Sequence, residues 1–146
     1  IFNFSKPILA YKMNNKLKKI LSEISAGELI DKISILEIKL AKIKDKNSLR
    51  IIKIEYKSLK KTLNLNIRLT VKIRKLIKSL RAVNLKLWNI EDQIRIYEKK
   101  SNFGKKFIEL ARSVYFNNDK RAKIKSQINK LLKSNINEVK KYVNYK

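Results

Sequence analysis

Most of the side chains that could do chemistry lie between Asn84 and Asn129. "NLKLWNIEDQIRIYE" (84–98) places Asn84, Glu91 and Glu98 seven residues apart, with Trp88 and Arg95 one turn beyond the first two. On a helix this row flanks an apolar stripe, where half-buried hydrogen-bonding groups beside an indole wall can orient a ligand. The plainer reading is an ordinary Glu91–Arg95 surface pair and a Trp filling a gap between helices. "ARSVYFNNDKRAKIKSQIN" (111–129) carries Arg112, Tyr115, Asn118, Asp119, Arg121, Lys125 and Asn129. These cannot share one face of a single helix. If "FNND" is a helix–helix corner capped by Asn118 or Asp119, they converge. The free N–H groups of the second helix then join Arg112 and Arg121 in a site for a phosphate, sugar phosphate or carboxylate. A capped corner with a salt-bridged Arg–Asp pair is the competing account.

Glu37 is a third candidate. On its helix it falls between Ile30, Ile33 and Ala41, close to the core, and a buried carboxylate needs a cation. Arg95, Arg112 and Arg121 are the available partners, in either a pair that locks helix register or a tuned acid or base. Other chemistry is excluded by composition. There is no Cys and no His among the 146 residues, so disulfides, zinc fingers, thiol nucleophiles and imidazole bases are ruled out, as are the usual transition-metal ligand sets. No metal site and no cofactor is read from the sequence. An enzyme would have to work through Glu37, Glu91 or Asp92.

The net charge is +25. A lysine stripe that neutralises phosphates is one cause. A composition bias is another, since 30 Lys, 22 Ile and 15 Asn are all residues with A/T-rich codons, beside only seven Arg. The excess is +12 over residues 41–83 and +6 over 122–146, whereas nine of the twelve acids fall within 23–40 and 84–121. The polar cluster is therefore set apart from the bulk positive charge, which favours solvated helix faces over a nucleic-acid footprint.

The elements that must position these residues are helices, because two Gly, one Pro and few alternating runs leave little else. Ser25 and Glu28 stand as a capping box, with Ile24 and Leu29 as its staple, so a helix begins near Ala26. Leu29, Ile33, Leu36, Leu40 and Ile43 form its stripe, while Ile30, Ile35 and Ile38 add apolar surface on other sides. Such a helix is either central or shared with a partner chain, which makes a homo-oligomer one expectation. "KDKNS" (44–48) is a turn in which Asn47 or Ser48 caps the next helix. From Leu49 to Lys100 no Gly or Pro intervenes, and a single helix would be about 75 Å long. A break is expected in "TLNLNIRLT" (62–70). The following helix carries Ile73, Leu76, Leu80, Val83, Leu87, Ile90, Ile94 and Tyr97, and "KKSNFGKKF" (99–107) turns the chain. The expected fold is all-α, a compact bundle of four to five helices over 21–134 with a long basic helix or helical hairpin in the middle. Residues 135–146 form a basic tail ordered by docking of its tyrosines. Residues 1–20 are expected to be weakly ordered or non-native, with Met13 as a plausible initiator and 1–12 as read-through or the tail of a fragment. No apolar run reaches the roughly 20 residues of a membrane span, and the cytoplasm is the expected location.

Three blocks, "EISAGELIDKISILEIKL" (23–40), "LRAVNLKLWNIEDQIRIYE" (80–98) and "FIELARSVYFNNDKRAKIKSQIN" (107–129), resemble an uncharacterised family of small bacterial and phage proteins known only as a domain of unknown function. The resemblance lapses over 41–79 and 1–20. It implies no activity, but it puts weight on Gly27, Glu28, Asp31, Lys32, Glu37, Asn84, Trp88, Glu91, Asp92, Arg95, Arg112, Tyr115, Asn118, Asp119, Arg121, Lys125 and Asn129. "GELIDKISILEIKLAKI" (27–43) is also similar to the first helix of the all-helical chorismate mutases, but the arginine with which they grip a substrate carboxylate is replaced here by lysines at other spacings. The leading expectation is a non-enzymatic module that binds an anionic small molecule or a protein through 84–98 and 112–129. The alternative is nucleic-acid binding through 41–83 and 122–146.

Overall fold

A computed structural model describes residues 19–145. Among them every regular element is a helix: α1 (Ala26–Lys42), α2 (Lys46–Asn66), α3 (Val71–Lys99) and α4 (Lys105–Leu131). The expectations for Met13 and residues 1–12 lie outside the described residues.

Local chemistry sets the helix starts. Ser25 caps α1, its Oγ accepting the Glu28 N–H at 3.1 Å. The reciprocal half of the capping box is not made, because the Glu28 carboxylate turns to Lys125 instead. Asp45, rather than Asn47 or Ser48, caps α2: its Oδ2 accepts the Ser48 N–H at 2.7 Å, and hydrogen bonding from the Ser48 side chain and then from this N–H holds the Asp45 carboxyl below its usual range. The expected break falls between Asn66 and Val71, where Thr70 caps α3 through the Ile73 N–H. Ser101, at a positive φ of 49°, helps turn the chain from α3 into α4.

The expected corner at 117–119 does not exist, and α4 runs unbroken through it. Asn117 is the reason local signals misled. Its side chain is buried, and its amide donates to the Ser113 carbonyl at 2.7 Å, back into its own helix. Packing of α4 along α3 then carries the helix past residues that in isolation favour a cap.

α1 is the hub, packing against each of the other three helices, while α3 and α4 pack along one another. α2 lies on α1 and not along α3, so the middle of the chain is two helices that form no hairpin with each other. The shared core is Leu29, Ile30 and Ile33 of α1 with Leu63, Leu80 and Ile128 from the other three. Leu80 and Ile128 are fully sealed from solvent. Side chains of this size each stabilise the fold by about 1.5–3 kcal/mol when buried. The several apolar sides of α1 are covered by its own chain, so a central position accounts for them without a second copy.

Candidate functional site

α1 and α4 meet through two polar stripes. Gly27, Asp31 and Ser34 recur at i, i+4 and i+7 on α1, and Arg121, Lys125 and Asn129 at i, i+4 and i+8 on α4, each set on one helical face. At one end the Gly27 N–H donates to Asn129 Oδ1 at 2.6 Å, and the Ala26 N–H to Ser134 Oγ at 3.1 Å. These two bonds satisfy N–H groups of the first turn that the helix itself leaves open. A methyl group on Gly27 would lie 2.7 Å from the Lys125 carbonyl oxygen, so only glycine permits this approach.

The centre is Asp31, 1% exposed. Arg121 grips it through two nitrogens, Nε to Oδ1 at 3.0 Å and Nη2 to Oδ2. Asn84 of α3 donates one amide to Asp31 Oδ1 at 2.8 Å and to Ser34 Oγ at 2.9 Å. Lys125 lies 2.6 Å from Glu28, 3.1 Å from Glu138 and 3.8 Å from Asp31. Burial pushes the Lys125 ammonium down, but Glu28 and Glu138 outweigh it and hold the group above the ordinary lysine range. The hydrogen bond to Asp31 raises the Arg121 guanidinium likewise. No buried side-chain nitrogen or oxygen among the described residues lacks a partner. Asn84, Arg121, Lys125 and Asn129 are thus brought together, as members of a satisfied ion-pair network.

The rest of the 84–98 row lies beside that network. Trp88, Glu91, Asp92 and Arg95 line a cavity of about 480 Å³ with Asn84 and Arg121, walled by Ile35, Ile38 and Leu87. Glu91, Asp92 and Arg95 are exposed, and among the described residues none of them forms an ion pair, so the Glu91–Arg95 surface pair is not made. Two carboxylates and two guanidiniums therefore surround one cavity beside an indole, with one guanidinium fixed by Asp31.

Arg112, Tyr115 and Asp119 lie on a different side of α4, because the continuous helix rotates them away from Arg121, while Asn118, three residues before Arg121 and seven before Lys125, stands between the two sides. Arg112 is exposed, donates to the Tyr115 hydroxyl at 3.4 Å and stands 5.9 Å over the Phe116 ring. The C-terminal segment folds across this side. The Tyr145 hydroxyl bonds Asp119, which raises it above the usual tyrosine range, and its ring meets Tyr115 and Phe116 edge-on at 5.2 and 5.4 Å. Tyr115, Asn118 and Asp119 with Tyr142, Val143 and Tyr145 enclose about 600 Å³. Two further contacts join this segment to the bundle, Glu138 to Lys125 at 3.1 Å and Asn135 to Glu23 at 2.9 Å.

Glu37 finds none of its three expected partners. Arg81 stands 3.3 Å away, and the Tyr56 hydroxyl donates to it at 3.4 Å. Burial and then the Glu37 charge raise the Tyr56 phenol above its ordinary range. Glu37 thus lies outside the network, one turn beyond Ser34, and faces α2 and α3 instead of α4. Asp31 and Gly27, the heart of the α1–α4 contact, had entered only through the family resemblance, Glu28 otherwise only as half of a capping box, and Ser34 and Glu138 not at all. The i, i+4, i+7 spacing of Gly27, Asp31 and Ser34 in an apolar helix was the signal that could have found three of them. Among the described residues no acidic cluster could hold a metal ion, and no helix is long and apolar enough to cross a membrane.

Fold and site together define an all-α bundle whose first and last helices are tied by a buried ion-pair network. The chain belongs to a family of unknown function, DUF6165, whose profile matches residues 20–145. That agrees with the uncharacterised family the three blocks resemble, and the match also covers the basic stretch over which the resemblance lapsed. Nothing among curated proteins or solved structures matches the chain.

Proposed function

We propose that this protein is a non-enzymatic binding module whose ligand, a small molecule with an anionic group, occupies the cavity bounded by Asn84, Trp88, Arg95 and Arg121. The observation that carries this reading is convergence: residues of α3 and α4 far apart in sequence line one cavity, and Arg121 is held rigid there by a buried carboxylate. A pre-oriented guanidinium loses little freedom on accepting an anion. Arg95 supplies the second cation, Trp88 an apolar wall, and Glu91 and Asp92 accept hydrogen bonds from amine or hydroxyl groups of the same ligand. The test is thermal unfolding against a panel of dicarboxylates, sugar phosphates and amino acids. A binder present at a hundredfold over its Kd stabilises by about 2.7 kcal/mol. Arg95→Ala should remove that stabilisation and leave the ligand-free melting point unchanged. A shift that survives Arg95→Ala sinks the proposal.

A second reading rests on the exposed cations of α2 and early α3, among them Lys53, Lys57, Lys61, Lys72 and Lys75. Nucleic-acid binding there requires affinity to fall steeply between about 50 and 200 mM salt. A flat response removes it.

A further inference from the structure

We propose that the wedge between α2 and α3 is a second binding site, one for a small amphipathic anion: an alkyl or aryl group carrying a phosphate, sulfate or carboxylate head. The two helices leave their short connection without packing along one another. Between them lies a cavity of about 310 Å³ whose apolar lining is Ile30 and Ile33 of α1, Leu63 of α2, Leu69 of the connection and Ile77 of α3. This is at the small end of the roughly 300–1,000 Å³ that small-molecule sites occupy.

The polar lining is mostly cationic, its one neutral member being the Ser34 hydroxyl, already bonded by Asn84. Lys60, Arg74, Lys78 and Arg81 border the cavity, with Glu37 as the one carboxylate. Glu37 is taken by Arg81 and Tyr56. Lys60, Arg74 and Lys78 form no ion pair with any described residue. Three like charges gathered at one mouth repel, and an anionic head placed among them relieves that repulsion while gaining charge-assisted hydrogen bonds. A bare anion makes no use of the apolar lining, and a neutral hydrocarbon makes none of the cations. A nucleic-acid strand is too bulky to enter a space of this volume. Only a ligand with both parts fits both halves of the site. The site differs from the Trp88 cavity in sign as well as position, because that cavity carries two carboxylates against two guanidiniums.

Anilinonaphthalene sulfonate, an aryl sulfonate that fluoresces in apolar surroundings, is the probe, titrated into the full chain. One saturable site is expected. The pair Arg74→Ala with Lys78→Ala should weaken it by about tenfold per cation removed, as the loss of a charge-assisted hydrogen bond implies. The pair Lys53→Ala with Lys57→Ala removes the same charge from exposed positions of α2 outside the cavity and should leave binding unchanged. All four side chains are exposed, and an unaltered helical circular dichroism spectrum confirms that each variant folds. Decyl sulfate should displace the probe where equal concentrations of inorganic sulfate or of decanol do not. Equal loss in both variant pairs would show general charge attraction and overturn the proposal. So would displacement by inorganic sulfate alone, which marks a plain anion site, or by decanol alone, which marks a plain apolar one.

Discussion

Gly27→Ala sets two rules of protein stability against each other. Gly27 lies in the first turn of α1 with an ordinary helical backbone, and no glycine among the described residues has a positive φ. Helix propensity therefore predicts that alanine stabilises, by at most about 1 kcal/mol. The packing predicts the opposite. The new Cβ would sit 2.7 Å from the Lys125 carbonyl oxygen, 2.8 Å from Asn129 Oδ1 and 3.2 Å from the Lys125 carbonyl carbon. The first and last of these atoms are hydrogen-bonded backbone inside a 27-residue helix and cannot swing aside. The start of α1 must back away, at about 1–3 kcal/mol for overpacking. The 2.6 Å bond from the Gly27 N–H to Asn129 is lost with it, and a buried group left unpaired costs about 1–3 kcal/mol more. After the propensity gain is set against these terms, a net loss of about 1–5 kcal/mol remains, centred near 3. For a chain of this length that lowers Tm by roughly 10 °C. Urea unfolding followed by circular dichroism measures the free energy directly, with Gly27→Ser as a second substitution expected to behave likewise. A stability equal to or above that of the parent would refute the close α1–α4 approach on which the account of the network rests.

Asp31→Ala should cost about 3–5 kcal/mol, because it strips the half-buried Arg121 and the amide of Asn84 of their acceptor. Adding Arg121→Ala to that variant should recover part of the loss, and a double-mutant cycle of strictly additive effects would deny the coupling. Arg112→Ala, by contrast, should change stability by less than about 0.5 kcal/mol, since the side chain is exposed. The tail should respond to acid. Lys125 holds the Glu138 carboxyl below its usual range, so the contact contributes stability above that range and loses it as pH falls through the lowered value. NMR shifts of the Tyr145 ring should accordingly stay at their folded values from neutral pH through the ordinary glutamate range and move toward coil values only below it. Release at or above that range would contradict the pairing. The Tyr145 phenol is raised by Asp119, so its own contribution is present below the ordinary tyrosine range and disappears as pH climbs through the raised value.

Those residues also show which parts of the architecture were legible in advance. The start of α1 was legible because an N-cap is a short-range contract between Ser25 and the Glu28 N–H. The break before Val71 was legible because Asn64, Asn66 and the β-branched Ile67 weaken the helix locally. The continuity of α4 was not, because Asn117, Asn118 and Asp119 are equally suited to ending a helix, and what decides is long-range: Asn117 is buried and Asp119 is engaged by Tyr145 from the tail. The partner of Glu37 was hidden for the same reason. Helical geometry says which way a carboxylate faces, but the cation opposite depends on the register of two helices, and that register set Arg81 there. The cavity lined by Trp88, Glu91, Asp92 and Arg95 was half legible. Their shared side of α3 follows from spacing, whereas the arrival of Arg121 from α4 required the fold.

The bonds between Ala26 and Ser134 and between Glu23 and Asn135 join points of the chain that are 108 and 112 positions apart. In topological terms the bundle is almost a closed ring, with its seam stapled by side chains. A short linker across that seam and a cut in the exposed turn between Ser101 and Gly104 would make α4 the first helix and α3 the last, with every interhelical contact available as before. Such a circular permutant should unfold as one cooperative unit, and a permutant that melts in two steps would show that the order of the helices matters. On this view the order in which the helices are synthesised is incidental to the bundle. The two facing stripes of α1 and α4 are what make it whole.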